Sequence, residues 1–412
     1  METVVLEGRK PALQEGVLEC RVETSYDGLA PMRAEWDEAV LRLRGPIYMS
    51  FDWTRLWWQF YGGNRSLRLF VFRVNGGIVG IIPIYIDSIG GWPLRLRVAR
   101  LVGACIPPKV FDPPIETTWA RGIWLAVLES LFRSKSCDFF SLGPVDGDYQ
   151  ALGSLVDACQ QSNLAAVLEE AEGEVHTVYH LPQSYEAYFS SLDGKERKVR
   201  RKKLRELEAL SPVSSEVVSE GTRLTDEFER FAEQHRLQWE AEGRPGHFHA
   251  WPNALNYNRA LVSTLGSLGR ARFFNLKVGE EVVCRQYAFA FGGTLFAELP
   301  SRVNGPRWHK LSLGCTSQIK LIESAIAGRF NVMESGLGHY DYKILTGGKE
   351  RPVRVLRVAR RGAANHLRVA AFSGLSAFSR LVLQKAWYRR IMPRLPAKFH
   401  TGQSRLQLRL DF

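Results

Sequence analysis

Lys310-Leu311-Ser312-Leu313-Gly314 is the stretch whose residue types point most directly to ligand chemistry. A turn of small residues opening a helix leaves backbone N–H groups unpaired and presents the positive end of the helix dipole, which suits a pyrophosphate. The plain alternative is an ordinary helix start with Ser312 as N-cap. The stretch has neither the G-x-x-x-x-G-K-[ST] loop of nucleotide hydrolases nor the G-x-G-x-x-G of dinucleotide folds. Two groups of titratable residues stand out elsewhere. His235 and Glu240 interrupt the apolar face of a helical stretch and are candidate bases, against a structural histidine and a surface carboxylate. Tyr342 lies beside Lys343, and a phenol held near a cation is a candidate proton donor. Lys343 could instead bind phosphate, or the pair could be a packed tyrosine and a surface lysine. Glu298 and Glu334, near predicted strand ends, are weaker candidates. His247-Phe248-His249 lacks a third ligand at fixed spacing, so no metal is expected. Trp53, Trp57 and Trp58 read as core or as sugar-stacking residues.

These residues need elements to position them, and the chain supplies a set of elements twice. Phe72 to Gly80 resembles Leu276 to Cys284, and both read as β-hairpins, near Leu67–Ile86 and Arg272–Phe291. Cys137 to Gly143 resembles Phe330 to Gly336, each after a helical segment, Trp119 to Phe132 and Thr316 to Ala327. Hairpin, helix, strand and Gly-marked turn thus recur in one order. The second copy adds a strand, Thr294 to Leu299, before the Ser312 turn. The matching stretch of the first copy, Gly103 to Pro114, holds four prolines and no comparable helix start. Between the copies runs a basic helical segment, Lys195 to Glu208, read as a solvated face or as a cationic wall beside an anionic ligand. Thr222 to Gly243 reads as an amphipathic helix.

Composition bounds the class. The chain has 412 residues, 45% hydrophobic and 24% charged, as in ordinary globular proteins. No apolar run approaches the ~18 residues of a spanning helix, and the start of the chain lacks a signal-peptide core. The six cysteines form no C-x-x-C pair and suit reduced thiols in a cytosol. The net charge of +12 is concentrated at the C-terminal end, where residues 350–412 hold 14 Lys and Arg against Glu350 and Asp411. The body is neutral, which argues against a general nucleic-acid surface.

The element order of the second copy is similar to the acyl-CoA-binding core of GNAT N-acetyltransferases. More specifically, the chain resembles GNAT proteins of the CelD type, associated with cellulose or exopolysaccharide biosynthesis, which share the double fold of Fem aminoacyltransferases. Four stretches carry this: Trp53 to Phe60; Tyr188 to Glu208; His235 to Glu240 with Gly243; and Ser312-x-Gly314 with Gly336 and Asp341-Tyr342-Lys343. Pro300-Ser301-Arg302 departs from the pattern where many relatives carry an acidic residue.

The resemblance implies an α/β fold of mixed sheets with two tandem GNAT-like domains, the first degenerate. The expected division is an N-terminal extension at 1–30, a degenerate domain at 31–175, an acyl-CoA-binding domain at 176–358 and a basic amphipathic tail at 359–412. It implies acetyl-CoA or another acyl-CoA as co-substrate, held by Lys310, Leu311, Ser312, Leu313 and Gly314, with His235, Glu240, Tyr342 and Lys343 as catalytic candidates. The expected reaction is acyl transfer to an amine or hydroxyl on a sugar or lipid-linked acceptor. Two other readings stand beside it: aminoacyl transfer from charged tRNA, and a non-catalytic scaffold of a synthesis complex. The protein is expected in the cytoplasm. Apolar residues at helical spacing from Leu367 to Tyr388, flanked by Arg368, Arg380, Lys385, Arg389 and Arg390, read either as a helix on the inner membrane face or as one packed on the body.

Overall fold

The computed structural model describes residues 2–5, 16–91, 95–104, 109–244, 246–379, 381–382, 387 and 390–391. The chain divides into two compact units, one built on Met1–Gly173 and continued from Pro352, the other on Glu174–Arg351.

The first unit contains β1 (Glu2–Val5), β2 (Glu19–Glu23), α1 (Arg33–Arg42), α2 (Phe51–Tyr61), β3 (Ser66–Val74), β4 (Gly77–Ile89), β5 (Leu96–Leu101), α3 (Ala120–Arg133), β6 (Phe139–Asp146), α4 (Ala151–Gln161) and the start of β7 (Ala165–His180). Asn75 and Gly76 both have positive φ, so the β3–β4 hairpin turns tightly with the twist of its strands. Trp53 and Trp57 are buried and pack on Tyr48 and Tyr85, which makes them core residues.

The second unit takes the end of β7, then α5 (Tyr185–Ser191), α6 (Gly194–Glu208), β8 (Val213–Val218), α7 (Thr222–Ala241), α8 (His247–Ala250), α9 (Ala254–Gly266), β9 (Ala271–Val278), β10 (Glu281–Phe291), β11 (Thr294–Arg302), α10 (Leu313–Ala327), β12 (Val332–Leu337) and α11 (Asp341–Leu345). β13 (Lys349–Arg360) then returns the chain to the first unit, where α12 (Ala363–Ser379) follows.

Both units use one plan. Strands run β2-β3-β4-β5-β6-β13 in the first and β8-β9-β10-β11-β12-β7 in the second. In each, one parallel pair, β5–β6 or β11–β12, sits among antiparallel neighbours. This is a mixed α/β fold built from two units with one strand plan. The contact boundaries differ from the expected ones at both ends of the chain. Residues 19–23 lie inside the interval expected as an extension, yet they pair with β3. Position 358/359 falls within β13, whose residues 353–359 pair with β6.

In the first unit the space beyond the parallel pair is taken by the chain itself. β5 and β6 pair only from Val98 to Arg100 and from Phe139 to Ser141. Past that point the segment 110–116 enters the gap. Phe111 N–H donates to the Pro144 carbonyl on one side, and the Pro114 carbonyl accepts from Ile81 N–H on the other. The prolines at 113 and 114 suit this edge because they have no N–H to leave unpaired. The gap that could take an extended ligand is closed.

Candidate active site

In the second unit the equivalent gap is open among the described residues. β11 and β12 pair over three positions only, Thr294↔Val332, Leu295↔Met333 and Phe296↔Glu334. Both strands become irregular where they part. On β11 the register with β10 jumps from Tyr287↔Leu299 to Ala288↔Ala297, so Glu298 is the extra residue of a β-bulge. A bulge re-aims its side chain and is common beside active sites. On β12 the pairing with β7 skips from Glu334 to Leu337, leaving Ser335 and Gly336 at the break.

α10 begins beside this opening. Ser312 occupies the N-cap position in a left-handed conformation, φ 52°, and its side chain makes no capping hydrogen bond. The first N–H groups of α10, at Leu313, Gly314 and Cys315, are therefore uncapped by that side chain. Leu313 is buried against Cys284 and Trp308, whereas Gly314 is exposed and a Cβ built on it meets nothing within 4 Å. Leu313 thus anchors the turn, and Gly314 leaves its outer side clear. Lys310 is exposed, and its carbonyl accepts from Lys203 Nζ at 2.8 Å, which ties α6 to the turn.

α6 is capped by Asp193, whose carboxylate accepts from Lys195 N–H at 2.8 Å. Arg200 pairs with Glu196 at 2.7 Å, and Cys315 in the first turn of α10 stands near its guanidinium. Between α5, α6 and α10 lies a cleft of about 360 Å³. Tyr185, Phe189 and Ile319 give it apolar walls, and Arg200, Arg201 and Lys320 give it positive charge. Of the basic segment, Arg200, Arg201 and Leu204 line this cleft, opposite Thr316 and Ile319 of α10.

α11 carries Tyr342, whose neighbours include Cys315 in the first turn of α10. Tyr179 OH donates to the Lys343 carbonyl at 3.0 Å, and Tyr188 OH donates to the Thr346 carbonyl at 2.8 Å. Thr346 Oγ1 closes back on the Tyr342 carbonyl at 2.8 Å. This net fixes a helix too short to hold itself. Burial, followed by the neighbouring Tyr179, Tyr340 and Cys315, pushes the Tyr342 phenol up, so it keeps its proton at neutral pH.

The remaining candidates are placed differently from their sequence reading. Lys343 is 2% exposed, and its ammonium donates to the carbonyls of Gly336 (3.1 Å) and Leu337 (3.4 Å) while lying over the Tyr340 ring. It holds the broken end of β12, and it is not the cation expected beside the Tyr342 hydroxyl or a phosphate. Glu240 is exposed and paired with Arg236 at 2.6 Å. Gln234 and His235 face inward, and Glu240 does not join them, since five helical residues turn the direction by about 140°.

His235 is 1% exposed, with Nδ1 3.3 Å from the Pro300 carbonyl and Nε2 3.1 Å from His247 Nδ1. Both ring nitrogens are committed, so His235 ties α7 to β11 and to the start of α8. Burial first, then the charges of His247 and His249, pull it from the ordinary imidazole range to about 3. Because this is below the unfolded value, the unfolded chain takes up a proton that the folded chain refuses. Stability is complete above about pH 6.5 and falls as pH drops toward 3. Between pH 6.5 and 5 the loss should be about 2 kcal/mol. Urea unfolding of His235→Gln should lack this component; an unchanged pH slope would show that His235 is not buried neutral.

Residue types alone rank Glu298 below these groups, because a bulge depends on pairing with β10. Any sequence signal is limited to its place near the end of a predicted strand.

Residues 194–344 match the family model described as an acetyltransferase (GNAT) domain. No curated protein matches the sequence significantly. Among solved structures, the chain is similar to FemX, at 10% identity and a TM-score of 0.56, covering 78% of this chain and 95% of that one. It is also similar to the C-terminal domain (DUF2156) of a putative lysylphosphatidylglycerol synthetase from Agrobacterium fabrum, at 11% identity and a TM-score of 0.50, covering 87% and 98%. At these identities the likeness is one of fold. The matched interval contains the parted strands, α10 and Tyr342, so the geometry described above lies within the stretch that matches an acetyltransferase (GNAT) domain.

Proposed function

We propose that the second unit transfers an acyl group from acyl-CoA to an amine or hydroxyl of a sugar or lipid-linked precursor in polysaccharide or cell-envelope assembly. The observation that carries the reaction type is the parting of β11 and β12 at Glu298 beside the uncapped start of α10. An open strand edge accepts an extended amide-bearing arm as an added strand would. The clear space at Gly314 fits a pyrophosphate on the α10 N–H groups. The cleft of Tyr185, Phe189, Arg200, Arg201 and Lys320 fits an aromatic ring carrying phosphate. The acceptor class follows the resemblance to CelD-type sequences.

Acyl-CoA supplies the acyl group as an activated thioester. Glu298, aimed by its bulge, accepts the proton that the attacking amine or hydroxyl must lose. Tyr342, held protonated by burial, donates to the departing sulfur. Gln286, bonded to Ser317 at 2.8 Å, and Gln318, bonded to Tyr179 at 3.4 Å, fix α10 against the sheet so that these groups keep their spacing.

A second reading, aminoacyl transfer from charged tRNA, is favoured by the fold shared with FemX and with the domain named for lysylphosphatidylglycerol synthesis. Thermal unfolding with acetyl-CoA, palmitoyl-CoA or charged tRNA separates the readings. At a ligand concentration of 100 Kd, a bound CoA ester should add about 2.7 kcal/mol of stability. Stabilisation by charged tRNA alone would establish the second reading. Stabilisation by none would leave a scaffold.

A further inference from the structure

α12 has an outer face with no structural reason to be apolar. Its inner face is committed to the first unit: Val369 and Phe372 pack with Ile89, Leu96, Val98 and Phe139. Asn365 Nδ2 donates to the carbonyls of Asp138 and Arg360, both at 2.8 Å. On the opposite side Leu367 is 73% exposed, Leu375 48% and Phe378 62%. Ala364, Ala371 and Gly374 lie between them at helical spacing, and Leu381 and Val382 are exposed beyond the helix. Arg368 is the one Lys, Arg, Asp or Glu within residues 363–379, and it turns back to the Arg95 carbonyl at 3.1 Å. A solvated helix normally places its charges outward; this one places leucine and phenylalanine there.

We infer that this face of α12 docks on the surface of an anionic phospholipid bilayer. Charge complementarity selects this occupant. From the start of α12 onward, residues 363–412 hold nine Lys and Arg against Asp411 alone. An apolar stripe within a basic segment matches a surface with acyl chains below anionic headgroups. A second copy would bring the same positive segment to the contact and repel it, and residues 392–412 are themselves basic. Among the described residues no helix is long and apolar enough to cross a membrane, so attachment is to the surface. The sequence pattern predicts a helix from Leu367 to Tyr388. α12 covers the first part of it, over Ala363–Ser379, while Arg380, Lys385, Tyr388 and Arg389 lie outside the described residues. The inference rests on α12, which belongs to the first unit, and is independent of the chemistry proposed for the second.

Full-length protein should co-sediment with vesicles of 30% phosphatidylglycerol in phosphatidylcholine at 50 mM NaCl. Binding should be at least tenfold weaker to pure phosphatidylcholine and at least tenfold weaker in 500 mM NaCl. Leu367→Glu with Phe378→Glu, both on the outer face, should lower binding at least tenfold with circular dichroism unchanged. Phe378→Trp tests the contact without adding charge: its emission, taken as the difference from wild type, should shift to the blue on vesicle addition. The idea is overturned by absence of vesicle binding, by equal binding of the double variant, or by a difference emission that stays water-exposed. A concentration-dependent dimer dissolved by the double variant, without vesicle binding, would assign the face to a second copy.

Discussion

Gly314→Val is expected to weaken acetyl-CoA binding at least 100-fold, about 2.7 kcal/mol, in a protein that remains fully folded. Gly314 is the second residue of α10, where N–H groups have no intrahelical acceptor and present the positive end of the dipole. A Cβ at this position meets no protein atom within 4 Å, so valine projects into open space. The backbone there is helical, and valine in place of glycine costs no helix propensity. The fold therefore has no cause to suffer, while the branched side chain occupies the volume a phosphate would need. Calorimetric titration with acetyl-CoA, beside thermal unfolding of the free protein, reads both effects. Wild-type affinity in the variant would move the pyrophosphate site elsewhere. Gly103 in the first unit is no neutral counterpart. Its φ is +100° and a Cβ would lie 2.5 Å from the Phe111 ring, so a side chain there attacks the fold.

Tyr342→Phe should lower kcat by roughly 10²-fold, about 2.7 kcal/mol in activation free energy, with KM for the acyl donor nearly unchanged. The hydroxyl is the only group removed, and the ring keeps its packing. Burial holds the phenol in its donor form across neutral pH, so the wild-type rate should show no loss from Tyr342 ionisation below about pH 10. Glu298→Gln tests the other end of the proton path. Its defect should be largest near pH 7 and shrink as pH rises, because an amine acceptor then arrives already deprotonated. Steady-state kinetics of both variants from about pH 6 to 9.5 distinguish the roles. A Tyr342→Phe rate within twofold of wild type would make the residue a packed aromatic.

Much of the framework follows from local pattern. The two hairpins are marked by alternating apolar residues around Asn75-Gly76 and Gly279, whose positive φ values the turns require. The helices at 120–133 and 222–241 follow from apolar spacing, and the turn at Ser312–Gly314 is visible from its serine and glycine at a helix start. Basic α6 can be found from charge alone, since its thin apolar stripe leaves most of it wet.

What the tertiary structure decided are the features that depend on partners far along the chain. Residues 353–359 pair with β6 after the chain has run through residues 174–351 of the second unit, so no local boundary announces them. The first unit's gap is filled by 110–116 through bonds to Ile81 and Pro144 on separate strands, a closure that the run of prolines suggests but does not specify. Lys343 looks like a cation beside a phenol until the broken end of β12 supplies carbonyls for its ammonium. His235 resembles a base until burial and His247 remove its affinity for a proton. Glu298 is ordinary as a residue type and gains its position from a one-residue slip against β10. Composition and periodicity determine which elements form, because they act over a few residues. Long-range pairing and desolvation determine which polar side chains remain available for chemistry, because both depend on what the fold brings alongside.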